Sequence, residues 1–414
     1  MTQPKADLSV QFCGVHFENP FCLSSSPVGN HAEMCARAYD AGWGGIAYKT
    51  LNVDSSFKIV MPSPRLNAYH YNDKRFVGLQ NAEQITDRGL DDNLKDIAEL
   101  KRRYPRRVLI SSIMGFTADD WTLLAKKSEE VGADMLELNF SCPQMARKDA
   151  GHRVGQDYDL VERFTAVVKK ASRLPVLAKM TPNITDMIPV ALAAKRGGAD
   201  AISAINTIRA ITDIDLETLT PMPIIFGKSG ITGFSGPAAK PIGMRFVSEL
   251  YNSDELSLPV AAIGGVETWR DALHYILLGA GTVQVTTAIM RYGYRIVEDM
   301  IEGLSDFMLE RGISSLEEIR GAAAKKLIDP SNFDVRHQVV SQIDEKKCIG
   351  CGQCYISCQD GANQAIVFDG GKRKAKVDET RCVGCTLCRH VCPVWDCVTT
   401  RTVDTQTTPH AAIF

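Results

Sequence analysis

Residues 132–207 read GADMLELNFSCPQMARKDAGHRVGQDYDLVERFTAVVKKASRLPVLAKMTPNITDMIPVALAAKRGGADAISAINT. Three short apolar runs in this stretch, Asp134–Ser141, Val176–Thr181 and Ala201–Thr207, are predicted strands. Between them, Leu160–Ala171 and Ile184–Gly197 carry apolar residues at helical spacing. Gly-Ala-Asp at 132–134 and Gly-Gly-Ala-Asp at 197–200 stand where a helix should stop and the next strand begin. Strands alternating with helices in this way imply parallel strands joined by crossover helices.

The alternation extends in both directions. Further strands are predicted at Phe21–Ser26, Gly45–Thr50, Val108–Met114, Val260–Gly265 and Thr282–Ala288, with helices such as Ala118–Val131 and Thr268–Leu278 between them. Eight units over about 290 residues fit a (β/α)8 barrel of the α/β class better than an open, doubly wound sheet, which stays as the alternative. Residues 1–312 are assigned to this barrel, with the hairpin-like LSVQFCGVHFENP (8–20) at its lower end. Two connections are long, Leu51–Leu90 and Ile208–Ala239. Long loops in a compact barrel are expected to be lids or interface elements. The second contains GKSGITGFSG (227–236), whose glycines permit close approach to a ligand or hinge motion. Residues 313–340 read as a helical linker, and 341–414 as a second domain.

That second domain carries Cys348-x2-Cys351-x2-Cys354-x3-Cys358 and, 34 residues on, Cys382-x2-Cys385-x2-Cys388-x3-Cys392-Pro393. Two [4Fe–4S] clusters need eight soft sulfur ligands at this spacing, with the fourth cysteine of each run ligating the other cluster. Cys348, Cys351, Cys354 and Cys392 would hold one cluster, and Cys382, Cys385, Cys388 and Cys358 the other. Zinc sites and disulfides are the alternatives. Zinc usually takes two separated pairs, and disulfides do not explain a doubled spacing followed by proline. The repeat suggests a duplicated, ferredoxin-like unit that passes single electrons.

Composition narrows the rest. The net charge of −2 over 414 residues leaves no basic footprint for nucleic acid. No stretch approaches the roughly 18 consecutive apolar residues of a membrane span, and MTQPKADLSVQF lacks a signal-peptide layout. The five other cysteines (Cys13, Cys22, Cys35, Cys142 and Cys397) are scattered, so a disulfide framework is not expected and a cytoplasmic location is.

Barrel active sites form at the C-terminal ends of the strands. Those ends carry Lys49-Thr50, Asn139 to Pro143, Lys179 to Asn183, Asn206-Thr207, Gly264-Gly265 and Thr286-Thr287. Lysines are rarely buried without a partner, so two of them beside asparagines and a cysteine point to an anionic or electron-rich ligand. Gly264-Gly265 with Thr286-Thr287 falls at strands seven and eight, where barrels commonly bind phosphate. Cys142 opens the polar loop 141–156, which contains Arg147, Lys148, His152 and Arg153, and is placed to act as a proton donor once that loop closes.

The set of Lys49-Thr50, Asn139-x-Ser141-Cys142-Pro143, Ala178 to Asn183, Asn206-Thr207, Gly264-Gly265 and the doubled cysteine motif resembles the dihydropyrimidine dehydrogenase family, in its bacterial iron–sulfur catalytic subunits. Over the barrel the likeness extends to class 1 dihydroorotate dehydrogenases. The resemblance implies FMN held by Ser24, Ser25, Ser26, Lys49, Thr50, Lys179, Gly264, Gly265, Thr286, Thr287 and Ala288. It implies a pyrimidine, uracil or thymine, held by Asn81, Glu83, Asn139, Ser141, Asn206 and Thr207. It makes Cys142 the general acid that protonates C5 after hydride reaches C6, and Lys179 a catalytic stabiliser of charge on the reduced flavin. Dihydroorotate dehydrogenases typically carry asparagine after Cys-Pro, where this chain has Gln144, which counts against an orotate substrate. Orotate chemistry and a non-catalytic electron carrier remain the competing readings.

No Gly-x-Gly-x-x-Gly marks a dinucleotide fold. Electrons from NAD(P)H are therefore expected to arrive through a separate FAD-containing, NAD(P)H-oxidising subunit. The family resemblance implies a heterotetramer of two catalytic and two flavoprotein subunits.

Overall fold

The computed structural model describes residues 6–53, 59–72, 74–142 and 151–403, with backbone only at 151 and 152. Its contacts divide the chain into two units, Met1–Leu327 and Ile328–Phe414.

Eight parallel strands close the first unit into a barrel: β1 (Phe21–Leu23), β2 (Gly45–Leu51), β3 (Val108–Ile113), β4 (Met135–Asn139), β5 (Val176–Lys179), β6 (Ala201–Ala204), β7 (Val260–Ile263) and β8 (Ala280–Val285). Each pairs with its sequence neighbours, and β8 returns to β1, so the open sheet is excluded. Every residue of these strands is buried. Side chains fill the barrel on one face and meet the helix ring on the other, which is why the strands read as nearly continuous apolar runs. Helices Ala118–Glu130 and Trp269–Leu277 each start on a capping box, Thr117 with Asp120 and Thr268 with Asp271.

Most strands stop before their predicted ends, as with β6 at Ala204 and β7 at Ile263. The regular ladder ends there, although single backbone bonds continue just beyond, as from Ile205 N to Ile263 O at 3.0 Å and from Met180 N to Ser203 O at 2.8 Å. Ala288 instead belongs to a short helix, Thr287–Tyr292. The helix expected from Ile184 begins at Ile188, where Asp186 Oδ1 accepts the Ile188 amide at 2.9 Å. At the lower end, Val10–Phe12 and Val15–Phe17 form the expected hairpin. Phe17 packs on Gly45 and Phe12 on Gly281, both at strand starts.

The two long connections are not independent lids. Leu66–Tyr71 and Arg75–Asn81, from the loop after β2, join Ile208–Ala210 and Thr232–Ser235, from the loop after β6, in one four-stranded antiparallel sheet. Part of the glycine-rich 227–236 segment is thus strand rather than hinge. Gly78 leaves the space that the Phe234 ring occupies.

In 313–340, three short 3-10 turns replace the expected helical linker, and a strand starts at Gln338. Gly321 and Pro330 interrupt any longer helix. The second unit pairs Gln338–Ile343 with Val398–Val403 and Ile366–Asp369 with Lys374–Val377, with helices Gln353–Gly361 and Leu387–Val391. Gly350 and Gly384 occupy equivalent places in the two cysteine runs at φ +66° and +69°. A Cβ there would stand 2.2 Å from Arg373 O or 2.3 Å from Val339 O, so each tight turn requires glycine.

Candidate active site

A cleft of about 1090 Å³ opens at the C-terminal mouth of the barrel. Lys49, Thr50, Asn139, Cys142, Lys179, Asn206, Thr207, Gly264, Gly265, Thr286 and Thr287 line it, together with Ser24, Ser25 and Ser26. Asn81 and Glu83, from the four-stranded sheet and the loop that follows it, complete the rim. Two sequence candidates stand behind the wall: Ser141 and Ala288 are buried without lining the cleft. Pro143 to Ala150 lie outside the described residues, as does the side chain of His152. Gln144, Arg147 and Lys148 fall within that stretch.

The floor is built on paired charge. Lys179, the last residue of β5, donates to Glu137 Oε1 at 3.1 Å and to Ser24 Oγ at 3.3 Å. Glu137 was not a sequence candidate. It shares a face of β4 with Asn139, two residues on, and the signal for it was a carboxylate inside the apolar run MLELN. On β2, Lys49 pairs with Glu83, whose other oxygen accepts from Arg65 Nη1 at 3.2 Å. Burial holds the Lys49 ammonium below the usual lysine range, while the Glu83 carboxylate acts in the opposite direction.

A run of hydrogen bonds crosses the barrel between these pairs. Ser25 Oγ and Thr50 Oγ1 lie 3.0 Å apart, Asn139 Nδ2 donates to Thr50 Oγ1 at 3.0 Å, and Asn139 Oδ1 accepts from Ser141 N and Oγ at 3.1 Å each. Asn206 Nδ2 then donates to Ser141 Oγ at 2.7 Å. Ser141 therefore orients two asparagines from behind them. Cys142 is 5% exposed and packs among Ile59, Ile85, Met114 and Phe116. Apolar neighbours favour the neutral, proton-carrying form of a thiol.

At the far end, Gly264 and Gly265 adopt φ of +133° and +66°. A Cβ on Gly265 would stand 2.8 Å from Gly236 O and from Lys240 N, so side chains are excluded from this cradle. Thr286 Oγ1 and Ser26 Oγ are 3.2 Å apart beside it. Gln284 Oε1 is buried at the cleft and finds no hydrogen-bond partner among the described residues. An unanswered acceptor, two buried ammonium groups and a side-chain-free cradle fit a phosphate-bearing heterocycle such as FMN.

A family model for dihydroorotate dehydrogenase matches residues 7–308, and one for a 4Fe-4S dicluster domain matches 341–400. The chain belongs to the dihydroorotate dehydrogenase family. It is 52% identical over 389 residues, 94% of each chain, to the NAD-dependent dihydropyrimidine dehydrogenase subunit PreA of Escherichia coli. It is 39% identical to the chloroplastic dihydropyrimidine dehydrogenase (NADP(+)) of Arabidopsis thaliana, over 77% of each chain. The catalytic subunit of dihydroorotate dehydrogenase B (NAD(+)) of Pyrococcus horikoshii is 36% identical, over 78% of this chain and 99% of its own. This family member is an oxidoreductase whose cofactors are FMN and [4Fe–4S] clusters.

The second unit fits its clusters. A cavity of about 340 Å³ is lined by Cys348, Cys351, Cys354 and Cys392, and another of about 310 Å³ by Cys358, Cys382, Cys385 and Cys388. The fourth cysteine of each run crosses to the other cavity. No helix among the described residues is long and apolar enough to cross a membrane.

Proposed function

We propose that this chain is the catalytic subunit of a dihydropyrimidine dehydrogenase that reduces uracil and thymine, reversibly, to their 5,6-dihydro forms. The observation that carries the reading is the 52% identity to the Escherichia coli subunit across 94% of both chains, barrel and cluster unit together.

FMN, when bound, supplies hydride for C6 of the pyrimidine. Ser24, Ser25, Ser26, Thr50, Gly264, Gly265, Thr286 and Thr287 would hold it, with the glycine cradle taking its phosphate, and Lys49 and Lys179 offset negative charge on the reduced ring. Asn81 and Asn206 would meet the alternating N–H and C=O edge of the substrate with amide groups, and Asn139, whose oxygen is taken by Ser141, with its remaining N–H. Thr207 adds a hydroxyl, Glu83 holds Lys49, and Ser141 fixes two of the asparagines. Cys142 delivers the proton to C5 and takes it back in the reverse direction.

The eight cysteines ligate two [4Fe–4S] clusters, partitioned as the two cavities are. They connect the barrel to a separate FAD-containing subunit that oxidises NAD(P)H, in a heterotetramer with two copies of each.

Purified protein supplied with an artificial electron donor tests the reading. Uracil and thymine should be reduced and orotate should not. Activity on orotate but not uracil would establish the second reading, dihydroorotate oxidation, which the barrel's family match and the Pyrococcus horikoshii relative favour. Protein without flavin or pyrimidine-dependent reoxidation would establish a plain electron carrier.

A further inference from the structure

Glu137 is fully buried in β4, yet it is the only acidic residue in the eight barrel strands. Both carboxylate oxygens are engaged: Oε1 accepts from Lys179 Nζ at 3.1 Å, and Oε2 accepts from Ser203 Oγ and Gln284 Nε2, each at 2.9 Å. Lys179 and Gln284 reach the cleft wall, whereas Glu137 sits behind them. A side-chain amide that gives its N–H group to a carboxylate must turn its oxygen away. For Gln284 that oxygen is the buried acceptor without a partner.

We propose that Glu137 is a positioning residue for the flavin site, holding the Lys179 ammonium at the cleft floor and presenting the Gln284 carbonyl oxygen to the cofactor. The physical reason is desolvation: a buried ammonium is costly unless a counterion and further hydrogen bonds hold it in place. Other groups near Lys179 do not supply that counterion. Cys22 on β1 has its thiol pushed up by burial and by Glu137 itself, so it stays neutral. Lys49 on β2 repels, and its partner Glu83 is shared with Arg65. Cys142 lies past the end of β4, and β3, β6, β7 and β8 contain no titratable residue. The Glu137 carboxylate therefore fixes where the Lys179 ammonium stands at the cleft floor, and through it how far negative charge on the reduced flavin is stabilised.

This inference rests on the reading that the cleft binds FMN, and the experiment separates the two. Flavin content and midpoint potential are measured by dye-linked reductive titration of the wild-type, Glu137→Gln, Glu137→Asp and Lys179→Met proteins. A wild-type protein without flavin overturns the cofactor reading itself. With flavin present, Glu137→Gln should lower the potential toward that of Lys179→Met. The reduced-to-oxidised ratio at fixed ambient potential should fall at least tenfold, about 30 mV for a two-electron couple. Glu137→Asp, which retains the charge, should stay within twofold of wild type. An unchanged or raised potential in Glu137→Gln overturns the proposal. Should Glu137→Gln not fold, Glu137→Asp decides: a wild-type potential supports the proposal, and one as low as that of Lys179→Met overturns it.

Discussion

The barrel mouth contains two lysine–glutamate pairs that differ in how they are built. Lys179–Glu137 lies wholly within the strands, its side chains 4% and 0% exposed, and Ser203 and Gln284 supply further hydrogen bonds. Lys49–Glu83 joins a barrel strand to the loop just past Asn81, and Arg65, 42% exposed, ties it to the adjacent hairpin. The floor pair is held by the same packing that holds the fold. The rim pair is held by an insertion that the barrel does not need for closure. Charge in the first pair is therefore fixed by barrel packing alone, while charge in the second also depends on how the hairpin sits.

Removing the carboxylates should expose the contrast most strongly. Glu137→Ala leaves an uncompensated charge in the barrel interior and should destabilise the protein by about 3–5 kcal/mol, whereas Glu83→Ala should cost about 1.5 kcal/mol. Urea denaturation of the flavin-loaded proteins measures both, and equal losses would erase the distinction. Gly265→Ala places a Cβ against Gly236 O and Lys240 N. It should cost about 1–3 kcal/mol in strain and lower FMN retention at least tenfold, read from flavin absorbance after gel filtration. Asn206→Ala breaks the bond to Ser141 at the substrate side. It should raise KM for uracil about tenfold, near 1.4 kcal/mol, with flavin content unchanged. The smallest effect is a displacement of the pH profile. The Lys49 ammonium is already lowered by burial and raised again by Glu83. In Glu83→Gln the largest opposition to burial is gone, so Lys49 loses its proton at lower pH and the alkaline limb of kcat/KM moves toward acid. An unmoved limb would remove Lys49 from the titration.

The barrel was legible because all eight strands are buried on both faces and several of the helices end at glycine, as at Gly42, Gly132 and Gly197. Strand ends were less so. The apolar run continues through Ile205 although the ladder stops at Ala204, and sequence pattern does not register where regular pairing ends. Lys49 and Lys179 stood out as charges closing apolar strands, and the cysteine runs announced themselves by spacing. Glu137 does not stand out in sequence because it lies inside its strand and its role depends on Lys179, Ser203 and Gln284 arriving from three other strands. The four-stranded sheet was missed for a related reason. Its halves, 66–81 and 208–235, are separated by more than a hundred residues, and their pairing at Asn81 and Gly233 depends on barrel closure.

The central claim is that Cys142, in the cleft over the floor pair, protonates the pyrimidine that receives hydride. Stopped-flow reoxidation of the anaerobically reduced flavin by uracil, in wild-type and Cys142→Ala proteins of equal flavin content, tests it directly. Reoxidation should be fast in the wild type and slower by about 100-fold or more in the variant, the scale of a lost general acid. Equal rates in the two proteins would contradict the claim.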